Sequence, residues 1–409
     1  MYGIIVMKQK NKIPKDWKYE SMDNILNNIE YGTSKIYYDK KNIKIVGMKD
    51  FSNGKINVNN LDLVNIPERD VTKLLLKKGD VLLNRTNSYD LVGKIAIYDS
   101  AERAVFASYL VRLNIKKEII NSYFFNYYFN LKENQLIIKS IATRAVSQAN
   151  INPTQFRKKC FILYPINLKE QEKIVEILEL WDKAIETTKK LIEQKKLQKK
   201  YLMQKLLTGK ICLKGFKTEW KEVTINDVLL ERKIYSEKGK EYPHISLTKE
   251  GVVPKTERYE RDFLVKDKNK EYKITKLNDI CYNPANLKFG VIAKNSYGNG
   301  IFSPIYVTYE IKKNVNIDFI SYYVVQPFFI NKARRFEEGT VYERMAVNPE
   351  DFVKVKIKIP TDLKEQEKIA DILLTADKQI DLLKQKLSKL ELQKKGLMQK
   401  LLTGEIRVC

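Results

Sequence analysis

The sequence predicts an α+β protein in which two globular, mixed α/β domains are separated by two long helices that form an antiparallel coiled coil. Three observations predict this fold class: a charged segment that occurs twice, a heptad pattern within each copy, and short strand-like runs before each copy. The chain is thus interpreted as a pseudo-twofold tandem duplication of a unit of about 200 residues.

The repeated charged segment is the strongest of these observations. Residues 168–209 and 363–404 align without a gap at an offset of 195, and 25 of their 42 positions are identical. The repeat continues more loosely upstream, where Ile151-Asn152-Pro153 corresponds to Val347-Asn348-Pro349. Chance does not produce such agreement, so the two halves of the chain are copies of one unit.

Each copy of the charged segment is predicted to be one coiled-coil helix. In the second copy, apolar residues recur in alternating steps of four and three, and only Lys394 interrupts this seam. The first copy keeps the seam with polar interruptions at Thr188, Lys195 and Lys199. Neither copy contains Pro, and each ends at a Thr-Gly pair, which is typical of a helix C-terminus.

The length of these helices predicts their partner. About 40 residues at 1.5 Å each make a rod of roughly 60 Å. A seam of this length exceeds the diameter of an ordinary domain, so we expect the two copies to pair with each other, antiparallel. Packing of each helix on its own neighbouring domain is the alternative.

The remaining sequence is assigned to two globular domains and short connections. Strand-like runs include Asp80–Leu83 and Tyr109–Leu113 in the first half and Ile305–Tyr309 in the second. Aromatic-rich segments at 123–129 and 319–329 are interpreted as core helices, with nucleobase stacking as the alternative. The predicted segments are an N-terminal extension (1–12), domain one (13–167), helix one (168–209), a linker (210–215), domain two (216–362), helix two (363–404) and a tail (405–409).

The charge of the chain indicates a polyanionic partner. It has 75 Lys and Arg residues against 50 Asp and Glu, a formal charge of +25. Each predicted helix carries +3, so +19 lies elsewhere, and 12 of the 13 arginines lie in the globular domains. A general compositional bias is the alternative, but it would not leave the helices nearly balanced. Two unlike basic domains at a fixed separation favour a DNA-binding protein that reads two different half-sites.

Several kinds of active site are excluded by what the sequence lacks. His244 is the only histidine, which removes His-based metal sites and Ser/His or Cys/His triads. The four cysteines lie far apart without a CxxC pair, and there is no GxxxxGK[ST] or GxGxxG phosphate loop. No apolar run approaches the roughly 18 residues of a membrane span. We therefore expect a soluble, cytoplasmic, non-catalytic protein without a metal site or membrane contact.

A family resemblance rests on the repeated helices together with three shorter motifs. These are the stretch Gly79-Asp80-Val81-Leu82-Leu83-Asn84-Arg85-Thr86-Asn87-Ser88, the loop Tyr31-Gly32-Thr33-Ser34-Lys35, and the Asn-Pro segment followed by Phe before each helix. Over nearly its whole length the chain resembles the specificity (S, or HsdS) subunits of type I restriction-modification systems. The second domain departs from the pattern at Asn283-Pro284-Ala285-Asn286-Leu287.

The resemblance implies a function and a set of partners. It implies two target recognition domains, each of which reads one half of an asymmetric, interrupted site in double-stranded DNA. The helices would dock two methyltransferase (M) subunits, and restriction (R) subunits would join the full complex. It also implies that AdoMet, and ATP with Mg, bind to the partner subunits and that this chain binds no cofactor.

Candidate DNA-binding residues are polar and basic side chains on segments interpreted as turn-like. Arg suits guanine and Asn or Gln suit adenine, whereas Lys35 is expected to hold phosphate. The candidates in domain one are Lys35, Tyr37, Tyr38, Arg85, Asn87, Ser88, Arg144, Ser147 and Gln148. The candidates in domain two are Lys249, Asn286, Lys288, Arg334, Arg335, Thr340, Tyr342 and Arg344.

Three other interpretations stay open at this point. One is a specificity subunit of another two-headed restriction-modification system. Another is a coiled-coil scaffold that binds no specific DNA. The third is a nuclease or methyltransferase in its own right, but the sequence shows neither acidic metal ligands on a catalytic core nor an AdoMet loop.

Overall fold

The computed structural model describes residues 13–37, 41–144, 148–216, 219–236, 241–255, 271–339 and 345–408. The chain forms two compact units. The first unit comprises Met1–Lys189 with Lys386–Cys409, and the second comprises Lys190–Gln385. Each unit therefore contains the first part of one long helix and the second part of the other.

The first unit mixes short strands with short helices. Its described strands are β1 (Trp17–Ser21), β2 (Leu26–Tyr31), β3 (Ile43–Val46), β4 (Phe51–Ser52), β5 (Lys55–Ile56), β6 (Asp62–Val64), β7 (Asp80–Asn84), β8 (Thr86–Asn87), β9 (Ile95–Tyr98), β10 (Ala104–Phe106), β11 (Leu110–Ile115), β12 (Thr143–Arg144), β13 (Ala149–Asn150) and β14 (Phe161–Pro165). Its described helices are α1 (Met22–Ile25), α2 (Glu68–Leu74), α3 (Ser122–Phe129), α4 (Lys132–Ser140), α5 (Pro153–Lys159) and the start of α6 (Leu168–Leu206).

The main sheet of the first unit lies between two apolar cores. Over the described residues its strand order is β2-β11-β7-β9-β5-β4, antiparallel except between β5 and β9. Successive side chains of a strand point to opposite faces, so Val81 and Leu83 of β7 enter one core and Leu82 enters the other. Because both faces are covered, β7 appears in the sequence as an unbroken apolar run.

The second unit is built from a comparable set of elements. Its described strands are β15 (Trp220–Thr224), β16 (Leu229–Glu231), β17 (Tyr235–Ser236), β18 (Ile245–Thr248), β19 (Gly251–Pro254), β20 (Tyr272–Thr275), β21 (Ile280–Tyr282), β22 (Ile292–Lys294), β23 (Gly300–Phe302), β24 (Val307–Ile311), β25 (Glu337–Glu338), β26 (Ala346–Val347) and β27 (Lys356–Pro360). Its described helices are α7 (Ile225–Val228), α8 (Ile317–Val324), α9 (Pro327–Ala333), α10 (Pro349–Phe352) and the start of α11 (Leu363–Leu402). The largest sheet in its described residues has the order β16-β24-β21-β22.

The two long helices begin and end with the same local devices. The side chain of Asn167 accepts a hydrogen bond from the backbone of Lys169 at 3.0 Å, and Asp362 accepts one from Lys364 at 2.8 Å. Such N-caps satisfy backbone donors that the first helical turn leaves open. Beyond the C-terminal ends, Gly209 and Gly404 have φ angles of 67° and 73°, a left-handed conformation that favours glycine.

Within each unit, the two helices pack antiparallel. In the first unit, Ile174 and Leu178 near the start of α6 share a core with Leu401 and Leu402 at the end of α11. In the second unit, Ile369 and Leu373 near the start of α11 share a core with Leu206, the last residue of α6, and with Leu207, which follows it. The predicted pairing of the two copies is therefore present in both units.

Two of the polar interruptions of the predicted seam have ionic partners. Lys394 lies 2.5 Å from Asp182 in the first unit, and Lys199 lies 2.5 Å from Asp377 in the second. The phenol groups of Tyr127 and Tyr322 donate to the same two carboxylates at 2.6 Å. These two clusters occupy equivalent positions in the repeat.

A second repeated contact joins each helix start to its own domain. Gln171 of α6 donates to the carbonyl of Pro165 at 2.9 Å and accepts from the backbone of Asn121 at 2.8 Å. Gln366 of α11 makes the same contacts with Pro360 and Asn316, at the same distances. The repeated Leu-Lys-Glu-Gln sequence thus holds each helix against the residue that caps α3 or α8.

The predicted fold class is confirmed, because mixed α/β domains and paired long helices are both present. The runs Asp80–Leu83, Tyr109–Leu113 and Ile305–Tyr309 lie largely within β7, β11 and β24. The aromatic-rich segments form core helices as predicted, with Phe124 and Phe319 fully buried. The compact units divide each long helix, whereas the sequence predicts each helix as a separate segment.

Candidate nucleic-acid interface

A small sheet in the first unit brings two predicted residues together. Its order is β12-β13-β8 in the described residues, with Arg144 and Asn87 on the two sides of Ala149. The prediction that these two residues lie on turn-like segments is wrong. Their backbones pair with β13, which follows both residues in the sequence. It lies so far from Asn87 along the chain that local patterns do not reveal this pairing.

Arg85 lies between this small sheet and the main sheet. Its backbone N–H donates to Tyr109 at 3.0 Å, and its carbonyl accepts from Ile151 at 2.8 Å. The half-buried guanidinium lies over the ring of Tyr31, 5.1 Å from the centroid, and Nη2 donates to Oδ1 of Asn150 at 3.3 Å. Its Nε is buried and has no hydrogen-bond partner among the described residues.

Arg144 forms a second stack on the same surface. Its guanidinium carbon lies 3.6 Å from the ring centroid of Tyr89, and Nζ of Lys139 lies 6.0 Å from that centroid. Arg144 and Tyr89 are both exposed, in contrast to Arg85. A cation over an aromatic ring is attracted by the ring quadrupole, so this stack fixes Arg144 without burying it.

The polar residues next to these stacks are held by local hydrogen bonds. Oδ1 of Asn87 accepts from the backbone of Ser88 at 2.8 Å, which leaves the amide NH₂ of Asn87 as its donor. Ser88 is exposed, and its carbonyl accepts from the backbones of Leu91 and Val92. Gln148 is also exposed.

The early loop of the first unit approaches a neighbouring strand closely at Gly32. A Cβ atom at this position would lie 2.3 Å from the carbonyl oxygen of Ala107, so only glycine fits. The loop therefore presents Lys35 and Tyr37, both exposed, from a fixed backbone. The predicted residues Tyr38 and Ser147 lie outside the described residues.

In the second unit, two predicted lysines meet at an exposed aromatic ring that the sequence analysis missed. Nζ of Lys249 lies 5.9 Å from the ring centroid of Phe289, and Nζ of Lys288 lies 5.2 Å from it. Phe289 is 56% exposed. Lys249 lies in the turn between β18 and β19, whereas Asn286, Lys288 and Phe289 lie in a 3-10 helix, Pro284–Phe289.

Two further predicted residues of the second unit that the structure describes, Arg334 and Arg335, are not among the cations that lie over the ring of Phe289. Arg334 is exposed and forms an ion pair with Glu337 at 3.2 Å, which occupies part of its hydrogen-bonding capacity. Arg335 is exposed beside it. Thr340, Tyr342 and Arg344 lie outside the described residues.

Tyr31, Tyr89, Asn150 and Phe289 are residues of the candidate interface that sequence reasoning missed. Tyr31 lies in a loop motif that the family resemblance uses, and Asn150 lies beside the repeated Asn-Pro segment. Tyr89 and Phe289 each directly follow candidate residues. For Tyr89 and Phe289, this position next to a candidate residue was the signal in the sequence that could have identified them.

Two cysteine thiols lie in the cores, away from the candidate interface. Burial raises the pKa of the Cys160 and Cys281 thiols to about 12. No group of three or more His, Cys, Asp or Glu side chains that could hold a metal ion occurs in the described part of the chain. Nor does any helix in the described ranges have the length and apolar character needed to cross a membrane.

Comparison with known proteins identifies relatives of the whole chain. Residues 14–196 and 217–392 match the family model described as type I restriction modification DNA specificity domain. A type I restriction enzyme MjaX specificity subunit from Methanocaldococcus jannaschii is 30% identical, with 97% of this chain and 95% of the relative covered. The MjaVIII specificity subunit of the same organism is 26% identical, with coverage of 82% and 81%.

Solved structures show the same fold at low sequence identity. The S subunit of a type I system from M. genitalium is 15% identical, with a TM-score of 0.55 and coverage of 96% of this chain and 98% of that one. The HsdS subunit from Thermoanaerobacter tengcongensis is also 15% identical, with a TM-score of 0.53 and coverage of 97% and 98%. Because the family model matches both halves and a relative is 30% identical along almost the whole chain, the chain belongs to the type I restriction-modification DNA specificity family, as a non-catalytic subunit that recognises DNA and docks its partner subunits.

Proposed function

We propose that the chain recognises an asymmetric, interrupted sequence in double-stranded DNA, with one half-site read by each unit, and that it docks two methyltransferase subunits. The observation that carries this proposal is that one part of the repeat is the same in both units and another part differs. The contacts between helices and domains are the same in both units, whereas the candidate DNA-binding surfaces differ.

The difference between the two surfaces supports two different half-sites. The first unit presents Arg85 and Arg144, each stacked on a tyrosine, beside Asn87. The second presents Lys249 and Lys288 around Phe289, on a turn and a 3-10 helix. Arginine forks and asparagine amides read base edges, whereas lysine acts as a point charge, so the two units are suited to different sequences.

Equivalent grooves along the long helices of the two units support the binding of two copies of one partner. In the first unit, α11 lines a groove of about 410 Å³ with Lys394, Lys395, Met398 and Gln399. In the second, α6 lines a groove of about 950 Å³ with Lys199, Lys200, Met203 and Gln204. These residues correspond at the repeat offset of 195. A surface that occurs twice, once per unit, suits a partner that binds twice.

In this proposal the partners supply the chemistry. The methyltransferase subunits bind AdoMet, and restriction subunits of the full complex bind ATP with Mg. The chain itself binds no cofactor and works in the cytoplasm, where its DNA substrate is found. Its task is to bring the catalytic subunits to one DNA sequence.

The recognition half of the proposal is tested by mapping adenine methylation. The chain is expressed with its neighbouring methyltransferase in a host that lacks other adenine methylation. We expect methylation at one bipartite motif with two different halves. Methylation at a single uninterrupted motif, or none above that of the methyltransferase alone, would contradict the proposal.

The docking half is tested by reversing charge in each groove. We expect the single variants Lys200→Glu and Lys395→Glu to bind one methyltransferase subunit each, and the double variant to bind none. Light scattering after size-exclusion chromatography measures the mass of each complex. Two subunits bound to the double variant would contradict this part of the proposal.

A further inference from the structure

Arg85 differs from the other arginines that are withdrawn from solvent. Among the described residues, Arg112, Arg157 and Arg232 are buried or half-buried, and each pairs with at least one carboxylate. Arg85 is half-buried, yet its side chain has no ion-pair partner in the described part of the chain. Withdrawing a charge from water is costly unless a partner compensates it, so the surroundings of Arg85 favour an external acceptor.

The neighbours of Arg85 fix the orientation of its guanidinium without neutralising it. Two backbone hydrogen bonds, to Tyr109 and from Ile151, hold its main chain. The ring of Tyr31 lies against the guanidinium, and Oδ1 of Asn150 takes one hydrogen from Nη2. An amide oxygen and an aromatic ring are neutral, so the positive charge stays available.

The part of the guanidinium that remains available has the geometry of a fork. Nε is buried, and Asn150 occupies one hydrogen of Nη2, which leaves the Nη1 and Nη2 edge. Two parallel N–H groups match the O6 and N7 acceptors of guanine in the major groove. A phosphate contact needs charge but no fixed plane, and the exposed Lys35 offers that in the same unit.

We propose that Asn150 and Tyr31 are positioning residues that hold Arg85 as the reader of one guanine in the half-site recognised by the first unit. This inference rests on the proposed function, because it assumes that the first unit reads a half-site. Asn150 and Tyr31 act through Arg85 and set specificity at a single base pair.

The test measures base preference and affinity separately. The complex of the chain with its methyltransferase selects from DNA duplexes in which the first half-site is randomised and the second is kept. We expect Arg85→Ala to reduce the preference for guanine at one position about tenfold. Asn150→Ala and Tyr31→Leu reduce it at that same position by roughly threefold to tenfold, with unchanged affinity for non-specific DNA.

Conservative variants separate positioning from a general structural role. Tyr31→Phe keeps the ring and is expected to keep the guanine preference. Asn150→Asp keeps the size of the side chain but offers Arg85 a carboxylate, so it is expected to lose the preference by capturing the fork. The matched control is Asn114→Ala, which removes a side-chain amide contact with Asn28 outside the candidate surface and is expected to change nothing.

The outcomes distinguish this inference from the proposed function. Absence of any base preference in the first half-site of the unmodified complex would refute the proposed function. A normal preference that survives in Asn150→Ala and Tyr31→Leu, or a uniform loss of affinity for all sequences, would overturn the positioning role alone. In every variant, a normal base preference at the second half-site serves as the control that the chain is folded.

Discussion

The phenol groups of Tyr127 and Tyr322 connect the stability of the two units to pH. Burial raises the pKa of each phenol well above its usual value, and the hydrogen bonds to Asp182 and Asp377 raise it further. The folded chain therefore keeps both phenols protonated, whereas the unfolded chain releases these protons above about pH 10. Their stabilising contribution is complete below that pH and is lost as the pH rises towards the folded-state pKa.

The variant Tyr127→Phe tests this linkage. We expect it to lower the free energy of unfolding of the first unit by about 1 to 2 kcal/mol at neutral pH, because Asp182 loses a donor. Its urea midpoint should then fall less steeply than that of the unmodified chain between pH 9 and 11. Tyr201→Phe, at an exposed position of α6, is the control and should have no effect. Equal steepness in all three chains would contradict the role of Tyr127.

At the scale of residues, the sequence indicates which side chains could bind DNA but not which residues contact them. Arg85, Asn87 and Arg144 are recognisable as candidates, and the structure brings them to one surface. Tyr31, Tyr89 and Asn150 were missed, because their role depends on contacts between segments that lie far apart in the chain. Composition and local pattern carry no information about such contacts.

At the scale of elements, the long helices are the part that the sequence predicts best. Their seam, caps and terminal glycines are local features, and the structure begins the helices at Leu168 and Leu363, where the charged segments begin. The two-residue strands β8, β12 and β13 were not predicted. A strand of this length has no period of its own and exists only through pairing with its neighbours.

Two glycines near the end of α11 should respond to alanine in opposite directions. Gly404 has a left-handed backbone, and a Cβ there would lie 2.9 Å from Cγ of Pro14. Gly396 lies inside α11 with open space around it. We expect Gly404→Ala to destabilise the first unit by about 1 kcal/mol or more, and Gly396→Ala to stabilise it by up to about 1 kcal/mol. Thermal unfolding measures both, and shifts of the same sign would contradict the assigned helix end.

At the scale of the whole molecule, each long helix passes from one compact unit into the other. The boundary between the two units lies between Lys189 and Lys190 in α6 and between Gln385 and Lys386 in α11. We expect insertions at these two points to leave the contacts within each unit intact. Such insertions therefore test whether the length of the helices sets the spacing between the two half-sites.

We expect four residues inserted at both points to lengthen the DNA spacer and to leave both half-sites unchanged. Four helical residues add about 6 Å, which corresponds to roughly one or two base pairs of DNA. Mapping of adenine methylation gives the spacer directly. The control is the same insertion in the linker at 210–215, which should leave the spacer as it is. An unchanged spacer after the helix insertions would refute the spacing role.

The central claim is that two unlike units, related by one repeated set of helix contacts, read two unlike half-sites. Its most direct test is a chain in which the globular segment 13–167 is replaced by a second copy of 216–362, expressed with the methyltransferase for mapping of adenine methylation. Because the same helix contacts recur in both units and the two helices run antiparallel within each, we predict a palindromic motif made of the second half-site and its inverted copy. Retention of the original first half-site would contradict the claim.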